Sequence, residues 1–272
     1  MVLRIGRIPF LVCAPFFYDF LGKEGLFPEY IFTDGAPSAL VAALRGGTVH
    51  LAPASSFGYA LAPEKFVLAP DLCTSCRLEV QSVDLFSRYP MERLSSKRVF
   101  LTPQSATSIA LFKVLARLRF GISPEFVTDA GARDSCDAWL LIGDEALLEG
   151  ERGRFPYKYD LATLWEAWQG LPFVFGAWSI HRSALVPELK PLLLKFLDDT
   201  ANSVKRFRED PARALVAWRT HYPTNLPVER LESYYSVLDY SFTDERKKSL
   251  ALFFTLCERI GLISQNPPLL FL

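Results

Sequence analysis

The segment Leu101-Thr102-Pro103-Gln104-Ser105-Ala106-Thr107-Ser108-Ile109-Ala110-Leu111 decides how the chain folds. Val99, Phe100 and Leu101 make a short apolar run, and after Ser105 the residues Ile109, Phe112, Leu115 and Ala116 recur at helical spacing. A strand is therefore predicted to feed a helix through a polar elbow. The first N–H groups of a helix lack intrahelical acceptors. An elbow carrying Ser105, Ala106, Thr107 and Ser108 thus suits a carboxylate or phosphate. Ser105 acting only as a helix cap is the plainer reading of the same residues.

The same rhythm extends in both directions. Leu3 to Ile8 alternates like a strand ended by Pro9, Tyr30 to Phe32 is a second strand, and Ala39, Leu40, Ala43 and Leu44 line one face of a helix stopped at Gly46-Gly47. Val49 to Ala52 leads through Pro53-Ala54-Ser55-Ser56 into another helix, a second elbow with paired hydroxyls. Extended segments follow at Phe66–Leu68 and Val80–Ser87. Beyond the opening helix, which runs to about Phe120, strands are predicted at 125–127 and 138–142, the latter turning at Gly143-Asp144. A helix is predicted over Tyr159–Trp168 and a long extended run over Leu171–Ile180. Four helices complete the chain near 187–208, 211–221, 227–237 and 243–260, with Pro187, Pro211 and Pro227 at first turns.

Alternating strands and helices predict an α/β architecture. At 272 residues the chain has room for two lobes. The polar, turn-rich stretch Tyr89–Lys97 marks a boundary, giving one lobe from residues 1–88 with 175–272 and another from 89–174. The chain would cross between them at Val80–Ser87 and at Leu171–Ile180, leaving a ligand cleft between the lobes.

Thirty basic side chains balance thirty acidic ones, which argues against a general attraction to nucleic acid or an anionic membrane and for a small-molecule partner. The 22 phenylalanines suit packed interiors and apolar pocket walls alike. Cys13, Cys73, Cys76, Cys136 and Cys257 are five in number and scattered, which fits free thiols in a reducing compartment. Cys73 and Cys76 have ligand-like spacing without a second pair or a nearby histidine, so no metal site is expected. His50, His181 and His221 fall in no metal motif. The run Ile8–Phe17 after Arg4 and Arg7 superficially resembles a signal peptide, but Leu3–Ile8 reads as a core strand and Val12 stands where a small residue would precede a lipidated cysteine. A cytoplasmic location is the expectation.

Taken together, Arg4-Ile5-Gly6-Arg7-Ile8-Pro9-Phe10-Leu11, Ala52-Pro53-Ala54-Ser55-Ser56, Gln81-Ser82-Val83, Leu101–Ser108, Leu140–Leu147 and Trp165–Phe175 resemble, in order, the menaquinone-biosynthesis proteins of the futalosine pathway, in their chorismate dehydratase branch. The resemblance implies a two-lobed, type II periplasmic-binding-protein fold with chorismate in the interlobe cleft and no cofactor. Chorismate would lose water to give 3-[(1-carboxyvinyl)oxy]benzoate. It further implies a catalytic role for Ser82 and for position 12, and substrate contacts from Ser55, Ser56, Ser105, Ala106, Thr107, Ser108, Gly143, Asp144 and Phe175. The family's first motif ends Tyr-Leu-Asn, whereas this chain reads Phe10-Leu11-Val12, so a side-chain hydrogen bond is missing there. The loop before Ser82 also departs, reading Cys73-Thr74-Ser75-Cys76-Arg77-Leu78-Glu79, in which Arg77 is either a new carboxylate contact or an exposed loop residue. A non-catalytic binding protein, or an enzyme, for a related small cyclic carboxylate is the alternative these departures leave open.

Overall fold

The computed structural model describes residues 1–272. The chain begins with β1 (Leu3–Arg7), α1 (Ala14–Phe17), β2 (Tyr30–Asp34), α2 (Pro37–Arg45), β3 (Leu51–Ser55), α3 (Ser56–Ala60) and β4 (Phe66–Cys76). It continues through β5 (Val83–Ser87), β6 (Arg98–Leu101), α4 (Ala106–Val114), β7 (Glu125–Val127), β8 (Ala138–Ile142), α5 (Gly143–Arg152), β9 (Tyr157–Asp160), α6 (Leu161–Gln169) and β10 (Phe173–His181). Last come α7 (Lys190–Glu209), α8 (Pro211–His221), α9 (Val228–Val237), β11 (Leu238–Ser241) and α10 (Asp244–Arg259).

Two mixed sheets result, one of six strands in the order β11-β4-β10-β3-β1-β2 and one of five in the order β7-β6-β8-β5-β9. In the first, β1 runs parallel to β2 and β3, while β10 is antiparallel to β3. In the second, β6 runs parallel to β7 and β8, and β5 is antiparallel to β8 and β9. The chain divides into unit 1, Met1–Thr74 with Gly176–Phe242 and Leu269–Leu272, and unit 2, Ser75–Phe175 with Thr243–Pro268.

This division differs from the one predicted at residues 88 and 89. Val83–Ser87 pairs with β8 and β9, so it is an interior strand of unit 2 rather than a crossing. The polar stretch after it is anchored in the same unit: Met91 and Leu94 are fully buried, and the Met91 N–H donates to Tyr159 Oη at 2.9 Å. The final helix also belongs to unit 2. Phe253 packs edge-on against Trp165 and Phe173, and Trp165 Nε1 donates to Ser249 Oγ at 3.1 Å.

Aromatic side chains fill both interiors. In unit 1, Phe16 and Phe17 pack against Trp178, and Phe20 stacks on Phe196 with ring centroids 5.5 Å apart. In unit 2, Phe86, Phe100, Trp139 and Leu141 form a buried cluster with Ala146 of α5. The run Ile8–Phe17 lies largely in the core of unit 1, with Phe16 and Phe17 fully buried. No helix is long and apolar enough to cross a membrane.

Candidate functional site

The predicted residues divide between the two units, and all but Phe175, which lies within β10, sit at the edge of their sheet where parallel strands end. In unit 2, β6 stops at Leu101, opposite Leu140 of β8, and the Thr102 N–H still donates to Leu140 O at 3.1 Å. The chain then turns, and Ser105 takes the N-cap of α4, its Oγ accepting the Ser108 N–H at 3.2 Å and lying 2.9 Å from Ser108 Oγ. The capping reading of Ser105 therefore holds. It does not exhaust the elbow: when one of these two hydroxyls donates to the other, the second keeps its proton for another acceptor. Thr107 and Ser108 are buried, Ser105 and Ala106 half-buried, and the first turn holds no acidic residue. This helix start favours an anion.

Beside it, β8 ends at Ile142 and turns at Gly143, whose φ of +59° is open to glycine, into α5. Asp144 and Glu145 occupy that first turn, so the start of α5 complements its own dipole and repels an anion. Asp144 is suited instead to accept from a hydroxyl. The antiparallel neighbour β5 begins at this same edge. The register pairing Val83 with Ile142 sets Ser82 next to Gly143, and Ser82 O accepts the Gly143 N–H at 2.7 Å. Ser82 is buried and follows Gln81, a non-glycine residue at φ +63°. Ser82, Ser105–Ser108 and Gly143-Asp144 thus share one end of one sheet, at the carboxyl ends of β6 and β8, where ligands of open α/β sheets bind. Phe175, half-buried, is the last residue of unit 2 before the chain returns to unit 1 and packs against Phe173 at 4.7 Å.

In unit 1 the corresponding strands are β1 and β3. After β1 the chain makes a tight turn at Leu11–Cys13, fixed by Tyr235 Oη donating to Leu11 O at 2.6 Å and Tyr240 Oη to Val12 O at 2.9 Å. Val12 is half-buried. Ser55, the last residue of β3, is half-buried, and Ser56, fully buried, starts α3. With five residues α3 carries little macrodipole, so this elbow offers hydroxyls more than a helix field. The motif arginines are structural. Arg7 donates to Asp34 and Glu24 and lies over Phe32, and Arg4 Nε donates to Thr48 O.

The altered loop is resolved in the same way. β4 extends through Cys76, well past the strand predicted at Phe66–Leu68. Cys73 Sγ donates to Ser241 O and Cys76 Sγ to Glu79 O, and burial pushes the Cys76 thiol up to about 12. Arg77 is exposed and paired with Glu245 at 2.5 Å, as a loop arginine would be. No group of three or more His, Cys, Asp or Glu side chains is arranged to hold a metal ion.

Sequence reading missed two acidic residues of unit 2. Asp160 caps α6 through Oδ1, accepting from Ala162 N and Thr163 N, while its Oδ2 accepts the Gln81 N–H at 2.7 Å. An Asp directly before an apolar helical run is a cap signature that could have flagged it. Asp84 lies opposite Asp160 across β5 and β9 and is fully buried, with Lys158 Nζ 3.4 Å from Oδ2. Burial first, then the charge of Asp160, raises its carboxyl to about 8. Nothing local in the sequence distinguishes a buried strand aspartate from an exposed one.

Residues 3–259 match the model of a family described as menaquinone biosynthesis. Over 210 residues the chain is 32% identical to a chorismate dehydratase of Thermus thermophilus, covering 71% of this chain and 74% of that protein. Among solved structures, protein AF1704 of Archaeoglobus fulgidus superposes with a TM-score of 0.76 at 20% identity, covering 96% of this chain and 98% of that one. The periplasmic aliphatic sulphonate-binding protein SsuA of Escherichia coli superposes with a TM-score of 0.68 at 15% identity, covering 97% and 89%. The fold is that of the periplasmic binding proteins.

Proposed function

The chain belongs to the menaquinone-biosynthesis family, and from that premise we propose that it is a chorismate dehydratase, converting chorismate to 3-[(1-carboxyvinyl)oxy]benzoate and water. The observation that carries this reading is the 32% identity with the Thermus thermophilus enzyme across about three-quarters of that protein's length.

The chemistry asks little of the protein. A proton leaves the ring carbon that bears the enolpyruvyl ether, its C–H electron pair becomes the new π bond, and the hydroxyl on the next carbon departs with its own bonding pair. Proton and hydroxide make the water released, and the ring becomes aromatic without change of oxidation level. Aromatisation supplies the driving force, so catalysis rests on holding the ring, accepting one proton and easing the hydroxyl away. The start of α4 is the anion-favouring element of unit 2, and it takes a substrate carboxylate through Ser105, Ser108 and the N–H of Ala106. Asp144 orients the ring hydroxyl in the bound substrate by accepting its hydrogen bond, and Ser82 orients the reacting carbons from the same strand-end. A second substrate carboxylate receives the proton taken from the ring, which is then delivered to the hydroxyl as it departs, so that it leaves as water. Position 12 contributes a backbone turn only, since valine offers no polar side chain. Five buried cysteines without a disulfide support placing this activity in a reducing, cytoplasmic compartment.

The test is direct. Purified protein incubated with chorismate yields a product lighter by one water that retains the enol ether, read by mass and proton spectra. Chorismate recovered unchanged from folded protein that it nevertheless stabilises against heat would favour a binding protein instead.

A further inference from the structure

Gln81 is held in the left-handed region at φ +63°, which L side chains avoid unless the surroundings impose it. The imposing group is on another strand. Asp160 Oδ2 accepts the Gln81 N–H at 2.7 Å, while Oδ1 of the same carboxylate accepts Ala162 N at 2.9 Å and Thr163 N at 3.1 Å. The next residue along is Ser82, whose carbonyl receives the Gly143 N–H at 2.7 Å. Gly143 is itself left-handed, at φ +59°, and opens α5 with no side-chain cap from Ile142. One buried carboxylate thereby fixes three things at once: the start of α6, the turn that presents Ser82, and, through the Ser82 carbonyl, the first N–H of α5.

We propose that Asp160 is a positioning residue for the dehydration, acting through the Gln81 N–H to set Ser82 and the Gly143-Asp144 turn at the strand-end site. The proposal rests on the reading that Ser82 and the start of α5 face the substrate. Asp160 does not touch the reacting atoms. Its action is geometric, since displacing a substrate-orienting group by about 1 Å lowers rates on the order of 100-fold.

Asp160→Asn is the informative variant. Asparagine caps helices about as well as aspartate, yet its amide has one acceptor oxygen and cannot serve both α6 and the Gln81 N–H. The thermal midpoint should move little, while kcat/KM for chorismate falls about 10- to 100-fold, mainly in kcat. Amide hydrogen exchange should quicken at Gln81 and at Gly143. Adding Gln81→Gly should recover part of the lost rate, because glycine holds the left-handed turn without a clamp. Capping alone would produce no such rescue. Should Asp160→Asn fail to fold, Asp160→Ser keeps a capping residue too short to reach Gln81, and the same readouts apply. Wild-type kcat/KM in Asp160→Asn, or unchanged protection at both amides, overturns the proposal. If the wild-type protein itself leaves chorismate untouched, the functional reading fails separately. The exchange data then decide the clamp: lost protection at both amides upholds it, and retained protection refutes it.

Discussion

Asp84 is the residue whose burial has the plainest measurable consequence. Its carboxyl, held up to about 8 by burial and by Asp160, faces Lys158 at 3.4 Å, and Lys158 in turn lies 3.5 Å from Glu79. An unfolded aspartate loses its proton near the ordinary value of 3.8, so in the window up to about 8 the folded chain binds a proton that the unfolded chain has released. Stability from this group is greatest at the acid end and is lost as pH rises through the window. Asp84→Asn should flatten the fall in urea midpoint between about pH 5 and about pH 8, leaving the variant the more stable protein at the upper end. A midpoint that falls equally in both proteins would show that Asp84 is ionised throughout. Val12 makes the second residue-scale prediction. Its turn is already pinned by Tyr235 and Tyr240, so Val12→Asn adds a polar side chain to a fixed backbone. If position 12 stabilises the transition state as the family's asparagine is expected to, chorismate turnover should rise by an amount worth about 2–4 kcal/mol. An unchanged kcat would assign that step elsewhere.

At the scale of elements, what could be read in the sequence was what is local. α8 spans Pro211–His221 as its proline and periodicity predict, and α4 begins directly after its serine cap. β9 and β11 were not legible. The helix predicted from Tyr159 takes in the second half of β9, Tyr157–Asp160, and Leu238–Ser241 is a short edge strand whose only strand neighbour is β4. β4 runs well beyond the predicted Phe66–Leu68, continuing through Pro70-Asp71 to Cys76. The placement of α10 is equally hidden in the sequence, since residues 176–242, which belong to unit 1, separate Phe253 from Trp165 and Phe173 along the chain. Phe253 is fully buried, and Phe253→Ala should cost about 3–5 kcal/mol. In hydrogen exchange the lost protection should concentrate in residues 75–175 and 243–268. Loss spread equally through residues 1–74 would contradict the assignment of α10 to unit 2. For α4, Ser105→Ala combined with Ser108→Ala removes both a cap and a ligand donor pair. The cap costs about 0.5–2 kcal/mol of stability, whereas chorismate affinity should weaken by about 1–3 kcal/mol, a separate loss that calorimetry on the folded variant would read. Unchanged affinity would leave the elbow with capping alone.

For the whole molecule, the division into units explains why the predicted site residues were found as two sets. Apart from Phe175 within β10, each set lies where parallel strands of its own sheet give way to helices: β1 before Val12, the end of β3 at Ser55 with Ser56 following, and β6 and β8 before Ser105–Ser108 and Gly143-Asp144. Those strand-ends were visible in the sequence because hydroxyl-rich elbows follow short apolar runs. The acidic support behind them was not, because Asp160 reaches Gln81 across 79 residues of sequence. The proposed dehydration of chorismate at the Ser82 end of the five-stranded sheet is open to direct test. The most direct measurement is the rate of conversion of chorismate to 3-[(1-carboxyvinyl)oxy]benzoate by the natural protein and by Ser82→Ala, side by side, with thermal midpoints recorded for both. The expected result is stoichiometric product from the natural protein and a rate lower by about 100-fold in a Ser82→Ala variant of unchanged midpoint. An inert natural protein, or a Ser82→Ala variant as fast as its parent, would contradict it.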